Sequence, residues 1–267
     1  MKKYFLLCLA IASLTACQKD DAPTPDSNVK AALSVEFDNI VGGQNLVLNT
    51  GTYTNSFAES YSVSELRYYV SNFKLTNTSG VTYTVPQDSS YFLIVESDET
   101  KHEAELLVPQ GDYSSISFTV GVDSLRSTMD LSKRTGVLDP AGDMETSMYW
   151  GWNSGYIFFK MEGISAAAPL DNSGQHKFRY HIGGFGGYSA PTINNIKTVT
   201  LDLTAGGVPK VRTGREANIH LMVDVAKVLD GNTPVSIAAH PSVMFSDFSV
   251  TIANNYSSMF RHDHTEN

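Results

Sequence analysis

The sequence predicts an all-β chain folded as a single β-sandwich of Greek-key-like connectivity, with one or two short helices. Three observations carry that expectation. Apolar residues alternate in twos along most of the chain, the pattern of a strand with one face buried. The alternating runs are short, rich in β-branched and aromatic residues, and separated by turn-prone stretches such as Asn77-Thr78-Ser79-Gly80, Gln110-Gly111-Asp112 and Thr204-Ala205-Gly206-Gly207. Helical spacing is scarce.

In chain order, Val35 and Phe37 share a face, then Val81, Tyr83 and Val85, then Ile116, Phe118 and Val120. Later come Ile157, Phe159 and Met161, then Val199, Leu201 and Leu203, then Ile219, Leu221, Val223 and Val225. Many short strands at such spacing indicate a sandwich. Two stretches depart from alternation. Ser64-Glu65-Leu66-Arg67-Tyr68-Tyr69 reads as a short helical turn ahead of a strand at Phe73 and Leu75. Phe245, Phe248, Ile252, Tyr256 and Met259 recur at spacings of three and four that suit one helix face, although Phe248, Val250 and Ile252 also alternate. No internal repeat or linker is visible, so residues 29–267 are expected to form one domain.

The start of the chain is of another kind. Lys2 and Lys3 precede the apolar run Tyr4 to Ala12, which is far shorter than the roughly 20 residues a membrane span requires. Residues 1–16 therefore read as a signal peptide. Leu14-Thr15-Ala16-Cys17 resembles a bacterial lipobox, which implies lipidation of Cys17 and anchorage by acyl chains. Residues 17–28 read as a polar, Pro-containing tether. Within it, Gln18-Lys19-Asp20-Asp21 resembles the acidic export tag of Bacteroidota lipoproteins. The expected location is the outer membrane, facing the cell exterior, with its periplasmic face as the alternative.

Charge and cysteine content narrow the partners. Loss of residues 1–16 removes Lys2 and Lys3 and takes the net charge from −9 to −11, which argues against nucleic acid. Cys8 leaves with the leader and Cys17 is lipidated, so no thiolate remains for a disulfide or a metal. Any metal must be held by His, Asp, Glu, Met, Asn or backbone.

Specialised residues concentrate mid-chain. Met148-Tyr149-Trp150-Gly151-Trp152-Asn153-Ser154-Gly155-Tyr156 holds both tryptophans, and His176-Lys177-Phe178-Arg179-Tyr180-His181 is followed by Ile182-Gly183-Gly184-Phe185-Gly186-Gly187. The run from Leu138-Asp139-Pro140 through Gly163, with His181-Ile182-Gly183-Gly184, resembles the MbnP family of copper-handling, methanobactin-associated periplasmic proteins. Supporting stretches are Leu66 to Asn72, Gly121-Val122-Asp123, Val223-Asp224-Val225 and Asn255 to Phe260. The resemblance implies a secreted β-sandwich that binds copper, often beside a di-haem cytochrome c peroxidase-like partner, with a tryptophan oxidised to kynurenine at the copper site. Carried over by position, it nominates Trp150 or Trp152 for modification and His181 as a ligand. Two departures stand out. Family members often carry a first-strand histidine where this chain has Asp38-Asn39, which is expected to lower affinity, and the cysteine motif of one branch is missing.

Each nominated residue also has a plainer reading. The tryptophans can be packing residues, His181 a hydrogen-bonded strand histidine, and His220 a surface histidine pointing away from Ile219 and Leu221. Met148 offers Cu(I) a thioether but equally fills core space. His262 and His264 form a His-x-His pair that could chelate from a flexible end, or simply end a frayed terminus. His102 and His240 read as surface residues. The chain has no Gly-x-Ser-x-Gly, His-Glu-x-x-His or phosphate loop, so a binding protein rather than an enzyme is expected. The competing function is a surface module for glycan or protein, with Tyr149, Trp150, Trp152 and Tyr156 as a stacking platform.

Overall fold

The structure is a computed structural model that describes residues 26–140, 148–150 and 155–267. The leader, Cys17, the export-tag stretch and Trp152 lie outside the described residues. In chain order the strands are β1 (Lys30–Val41), β2 (Gln44–Asn45), β3 (Tyr53–Thr54), β4 (Ser60–Asn77), β5 (Thr82–Thr84), β6 (Tyr91–Val95), β7 (Glu103–Pro109), β8 (Gly111–Val120), β9 (Tyr149–Trp150), β10 (Gly155–Ile164), β11 (Lys177–Gly183), β12 (Lys197–Asp202), β13 (Lys210–Val211), β14 (Ala217–Asp224), β15 (Ser242–Val243) and β16 (Phe260–Glu266). The helices are α1 (Ser124–Thr128), α2 (Lys227–Asp230) and α3 (Ser249–Tyr256).

Two sheets result. The smaller runs β16-β14-β1, with β7 and β2 along the other edge of β1. Its central pair, β1 and β14, is parallel. The larger follows β12-β8-β4-β10-β11-β15. Its long strand β4 pairs with β10 through its first half and with β8 through its second. The inward rows of both sheets form one core. Phe37 of β1 meets Tyr68 of β4 at 6.2 Å and Phe118 of β8 at 5.7 Å, and Phe260 of β16 meets Phe118 at 5.1 Å, all edge to face. Such aromatic contacts add about 0.5–1.5 kcal/mol each beyond area burial.

The sandwich is the predicted one, with local differences. Ser64–Tyr69 is not helical; it lies inside β4, where Leu66 and Tyr68 face the core and Tyr69 faces outward. Six residues are too few for a stable helix and could not compete with pairing to β10 and β6 on either edge. Phe159 and Met161 face the core as expected, but Ile157 does not join them. A β-bulge between Ile157 and Phe159 turns Ile157, with Phe158, to the outer side of the large sheet. Val81 is 63% exposed beyond the end of β5, while Val85 is buried. The helix expected around Ile252 and Tyr256 forms as α3, and two single-turn helices accompany it.

On the outer side of the large sheet lies a second cluster: Tyr69, Leu93, Val122, Leu138, Met148, Tyr156, Ile157, Phe158 and Phe185. Chain crosses over it at Gly136–Leu138, held by hydrogen bonds from the Tyr69 hydroxyl to the Val137 carbonyl (2.8 Å) and from the Tyr156 hydroxyl to the Leu138 carbonyl (2.6 Å). This face is covered; among the described residues the outer face of the small sheet carries no such cluster and is bare by comparison.

Candidate functional site

On the bare face, alternation along β1 and β14 buries Val35, Phe37, Ile219 and Leu221 and turns Glu36, Asp38 and His220 outward. His220 pairs with His264 of β16, and the register slips at the next step, where Leu221 pairs with His262. Asp263 is therefore the extra residue of a β-bulge. In an unbroken strand His262 and His264 would share a face; the bulge separates them and brings Asp263 to the same side as His264. The imidazoles of His220 and His264 lie 4.7 Å apart. One Asp263 oxygen is 2.9 Å from His264 Nδ1 and 3.7 Å from His220 Nδ1. His220 Nε2 faces Asp38 at 3.7 Å and Glu36 at 4.0 Å. The hydrogen bond with His264 holds the Asp263 carboxyl below its ordinary value and, reciprocally, Asp263 raises His264. His262 turns the other way, against Gly206, with Nε2 3.0 Å from the Thr265 hydroxyl. Burial lowers its pKa. The C-terminal segment is thus a paired strand and not a frayed end.

The other edge of β1 opens on a cavity of about 570 Å³ lined by Glu36, Asp38, Asn39, Glu96, His102 and Glu103 among others. Asn39 is buried; its amide nitrogen donates to Glu96 Oε2 (2.9 Å) and its carbonyl accepts from the Tyr68 hydroxyl (2.9 Å). Burial raises the Glu96 carboxyl above its usual value, against the Asn39 hydrogen bond. His102 Nε2 sits 3.9 Å from the same carboxylate. Burial and the neighbouring Glu36, Glu105 and Glu216 also raise Glu103. The cavity concentrates negative charge beside one imidazole, a setting suited to a cation.

His181, on the outer face of the large sheet, is embedded in ion pairs. Its Nε2 is 2.7 Å from Glu162, whose oxygen lies 3.8 Å from the Lys160 ammonium; Lys160 also reaches Glu65 at 3.1 Å. The His181 hydrogen bond, then Lys160, hold Glu162 below the usual carboxylate range although burial opposes them. Trp150 packs against the second cluster, with its ring over Gly183, two residues along β11 from His181 on the same face. A Cβ at Gly183 would fall 2.9 Å from the indole, so a bare backbone is what admits the ring.

The nominated ligands therefore divide. His181 and Trp150 share the large sheet's outer face. Met148, fully buried, belongs to the cluster beneath that surface, where its thioether fills core space. His220 lies on the opposite outer face, beyond two sheets that pack about 10 Å apart, so these residues do not form a single site. Tyr156, named for a glycan platform, is 1% exposed and serves as core. His102, read from the sequence as a surface residue, instead lines the cavity; its partner Glu96 lies across the intervening 3-10 turn Glu99–Lys101 and leaves no local signal. Sequence reading also passed over the bulge that joins His264 to His220, which no local spacing encodes.

The fold and its side chains define a class: a β-sandwich whose bare face carries imidazole and carboxylate donors and whose covered face carries a tryptophan beside a histidine. The MbnP family profile matches residues 30–245, and the chain belongs to the MbnP family. The solved structure of MbnP from Methylosinus trichosporium is similar over 82% of each chain, with 17% sequence identity and a TM-score of 0.54. At that identity the likeness speaks for the fold. No curated protein matches the chain. Membership places the chain in a copper-associated family of extracytoplasmic proteins.

Proposed function

We propose that the protein is a lipid-anchored, extracytoplasmic copper-binding protein that takes copper weakly at the cavity beside β1. One observation carries this reading: Asn39, at the first-strand position where the family resemblance implies that relatives often carry a histidine, lies beside Glu96 on the cavity that His102 also lines. Imidazole and carboxylate suit Cu(II), whereas Mg2+ and Ca2+ are taken by oxygen donors alone. One imidazole with an amide in place of a second makes a weaker site than two imidazoles. Cys17 acylation would hold the sandwich at the outer membrane, and the oxidised tryptophan and di-haem peroxidase-like partner belong to the same proposal.

Copper on the large sheet's outer face is the second reading, favoured by Trp150 over Gly183 beside His181. There Glu162 would orient the imidazole through Nε2, leaving Nδ1 to the metal. The buried Lys160 ammonium opposes a cation at this position.

Titrating the purified protein with Cu(I) and Cu(II) beside His102→Ala, His181→Ala and Asn39→His tests both. The expected result is a loss of at least about tenfold on His102→Ala, little change on His181→Ala, and tighter binding by Asn39→His. A loss confined to His181→Ala moves the site to the other face, and no binding by any form removes copper from the reading. Fatty-acid labelling of wild type and Cys17→Ser tests the anchor, and intact mass after co-expression with a di-haem partner tests tryptophan oxidation.

A further inference from the structure

We propose that His220, His264 and Asp263 form a second metal site, open to solvent on the outer face of the small sheet, for a late first-row divalent cation such as Zn2+ or Cu2+. It is distinct from the cavity site in its ligands, and two of the three lie beyond residues 30–245, the extent of the family match.

Geometry carries the proposal. One donor atom from each residue lies within 4.8 Å of the other two. The imidazole nitrogens and carboxylate oxygens of a tetrahedral shell stand about 2.0–2.2 Å from the metal and so about 3.4 Å from each other. The separation from His220 Nδ1 to Asp263, 3.7 Å, is too long for a hydrogen bond and close to the span of a bridged ion. His220 Nδ1 is shielded from solvent and has no hydrogen-bond partner among the described residues, an arrangement that disfavours the apo state. Its other nitrogen faces Asp38 and Glu36, the carboxylates that would fix the tautomer and orient the ring from outside the coordination shell. His264 and Asp263 are 47% and 32% exposed in their side chains, so both can exchange their mutual hydrogen bond for an ion with small rotations, leaving a coordination position to water.

The donor set narrows the ion. Two imidazoles and a carboxylate suit Zn2+, Cu2+ or Ni2+, whereas Mg2+ and Ca2+ take oxygen shells. The bulge supplies the third ligand, since only an extra residue at Asp263 brings two successive side chains of β16 to one face. Bulges of this kind re-aim side chains at sites of function.

Isothermal titration of the full-length protein in mild detergent, produced without a redox partner, with Zn2+ and then Cu2+ as probes, tests the proposal. One equivalent of Zn2+ is expected, with binding weakened about 100-fold or more in His264→Ala and His220→Ala, about tenfold in Asp38→Asn, and unchanged in His102→Ala. The Cu2+ form should show hyperfine coupling to two nitrogens, reduced to one in His264→Ala. His264 lies half-exposed on an edge strand, so its removal leaves the core untouched, and thermal melts without metal verify that both histidine variants are folded. Equal Zn2+ affinity in wild type and His264→Ala, absence of Zn2+ binding, or a loss confined to His102→Ala would each overturn the proposal. Loss of copper binding in His102→Ala with Zn2+ binding intact, and loss of Zn2+ binding in His264→Ala with His102-dependent copper binding intact, separate this site from the cavity reading.

Discussion

The two outer faces of the sandwich start from the same strand geometry and end differently. On the large sheet, Gly136–Leu138 crosses over the outward row, so Tyr69, Phe158 and Ile157 become a second core and Trp150 packs at its border. On the small sheet no second cluster forms among the described residues, and the outward row carries polar side chains: Glu36 and Asp38 on β1, His220 on β14, Asp263 and His264 on β16. Covering a face makes its residues matter for stability; leaving it bare makes them available to ligands. Charged groups follow the same rule. Lys160 and Glu162 at the edge of the covered cluster are tied into pairs, whereas Glu103 on the small sheet is raised by burial and then by the neighbouring carboxylates Glu36, Glu105 and Glu216.

The largest effect that would break this contrast is in the covered cluster. Phe158→Ala should lower the unfolding free energy by about 3–5 kcal/mol, read by urea denaturation, because the ring is fully buried against Gly121. His220→Ala should change it by less than about 1 kcal/mol. Comparable losses in both would mean that the bare face is structural too.

Gly183→Ala comes next. Its new Cβ would meet the Tyr156 carbonyl oxygen at 2.4 Å and the Trp150 ring at 2.9 Å, a clash with backbone that costs about 1–3 kcal/mol. Trp150 fluorescence should shift toward that of a more exposed indole. Lys160→Ala should cost about 2 kcal/mol, after allowance for the solvent that reaches Glu65 and Glu162.

The smallest effect has opposite signs on the two faces. Glu162 is held below its ordinary value of 4.5, first by the His181 hydrogen bond, so the unfolded chain binds its proton first. Its stabilisation is present above about 4.5 and is lost as pH falls through the lower folded value. Glu103 is raised above 4.5, so the folded state binds the proton first and stability declines as pH rises from 4.5 through the folded value. Urea midpoints measured from pH 3 to 7 should therefore lose their acid-side fall in part with Glu162→Gln, while Glu103→Gln should stabilise near neutrality. The same sign in both variants would contradict the difference between the faces.

Most of the sandwich was legible because a half-buried strand writes its burial locally. Val35 and Phe37, Ile116 to Val120, and Ile219 to Val225 alternate for that reason, and all face the core. The helical stripe through Ile252 and Tyr256 was equally local. His220 could be assigned to an outward row in the same way, but its companions could not. The pairing of β14 with β16, and of both with β1, joins residues far apart in sequence, and which of them meet depends on register.

At the bulges, sequence alone fails. Ile157 reads as a partner of Phe159 and His262 as a partner of His264, since two residues of separation mean one face in a regular strand. A single extra residue reverses that relation in each case. Period-two alternation, turn chemistry, the charge balance and the lipobox resemblance were properties of the sequence by itself. The division into a covered and a bare face, the cavity where Asn39 meets Glu96, and the meeting of His220, Asp263 and His264 were decided by the tertiary structure, because a bulge's position is set by hydrogen-bond register with a partner strand and leaves no periodic mark on its own.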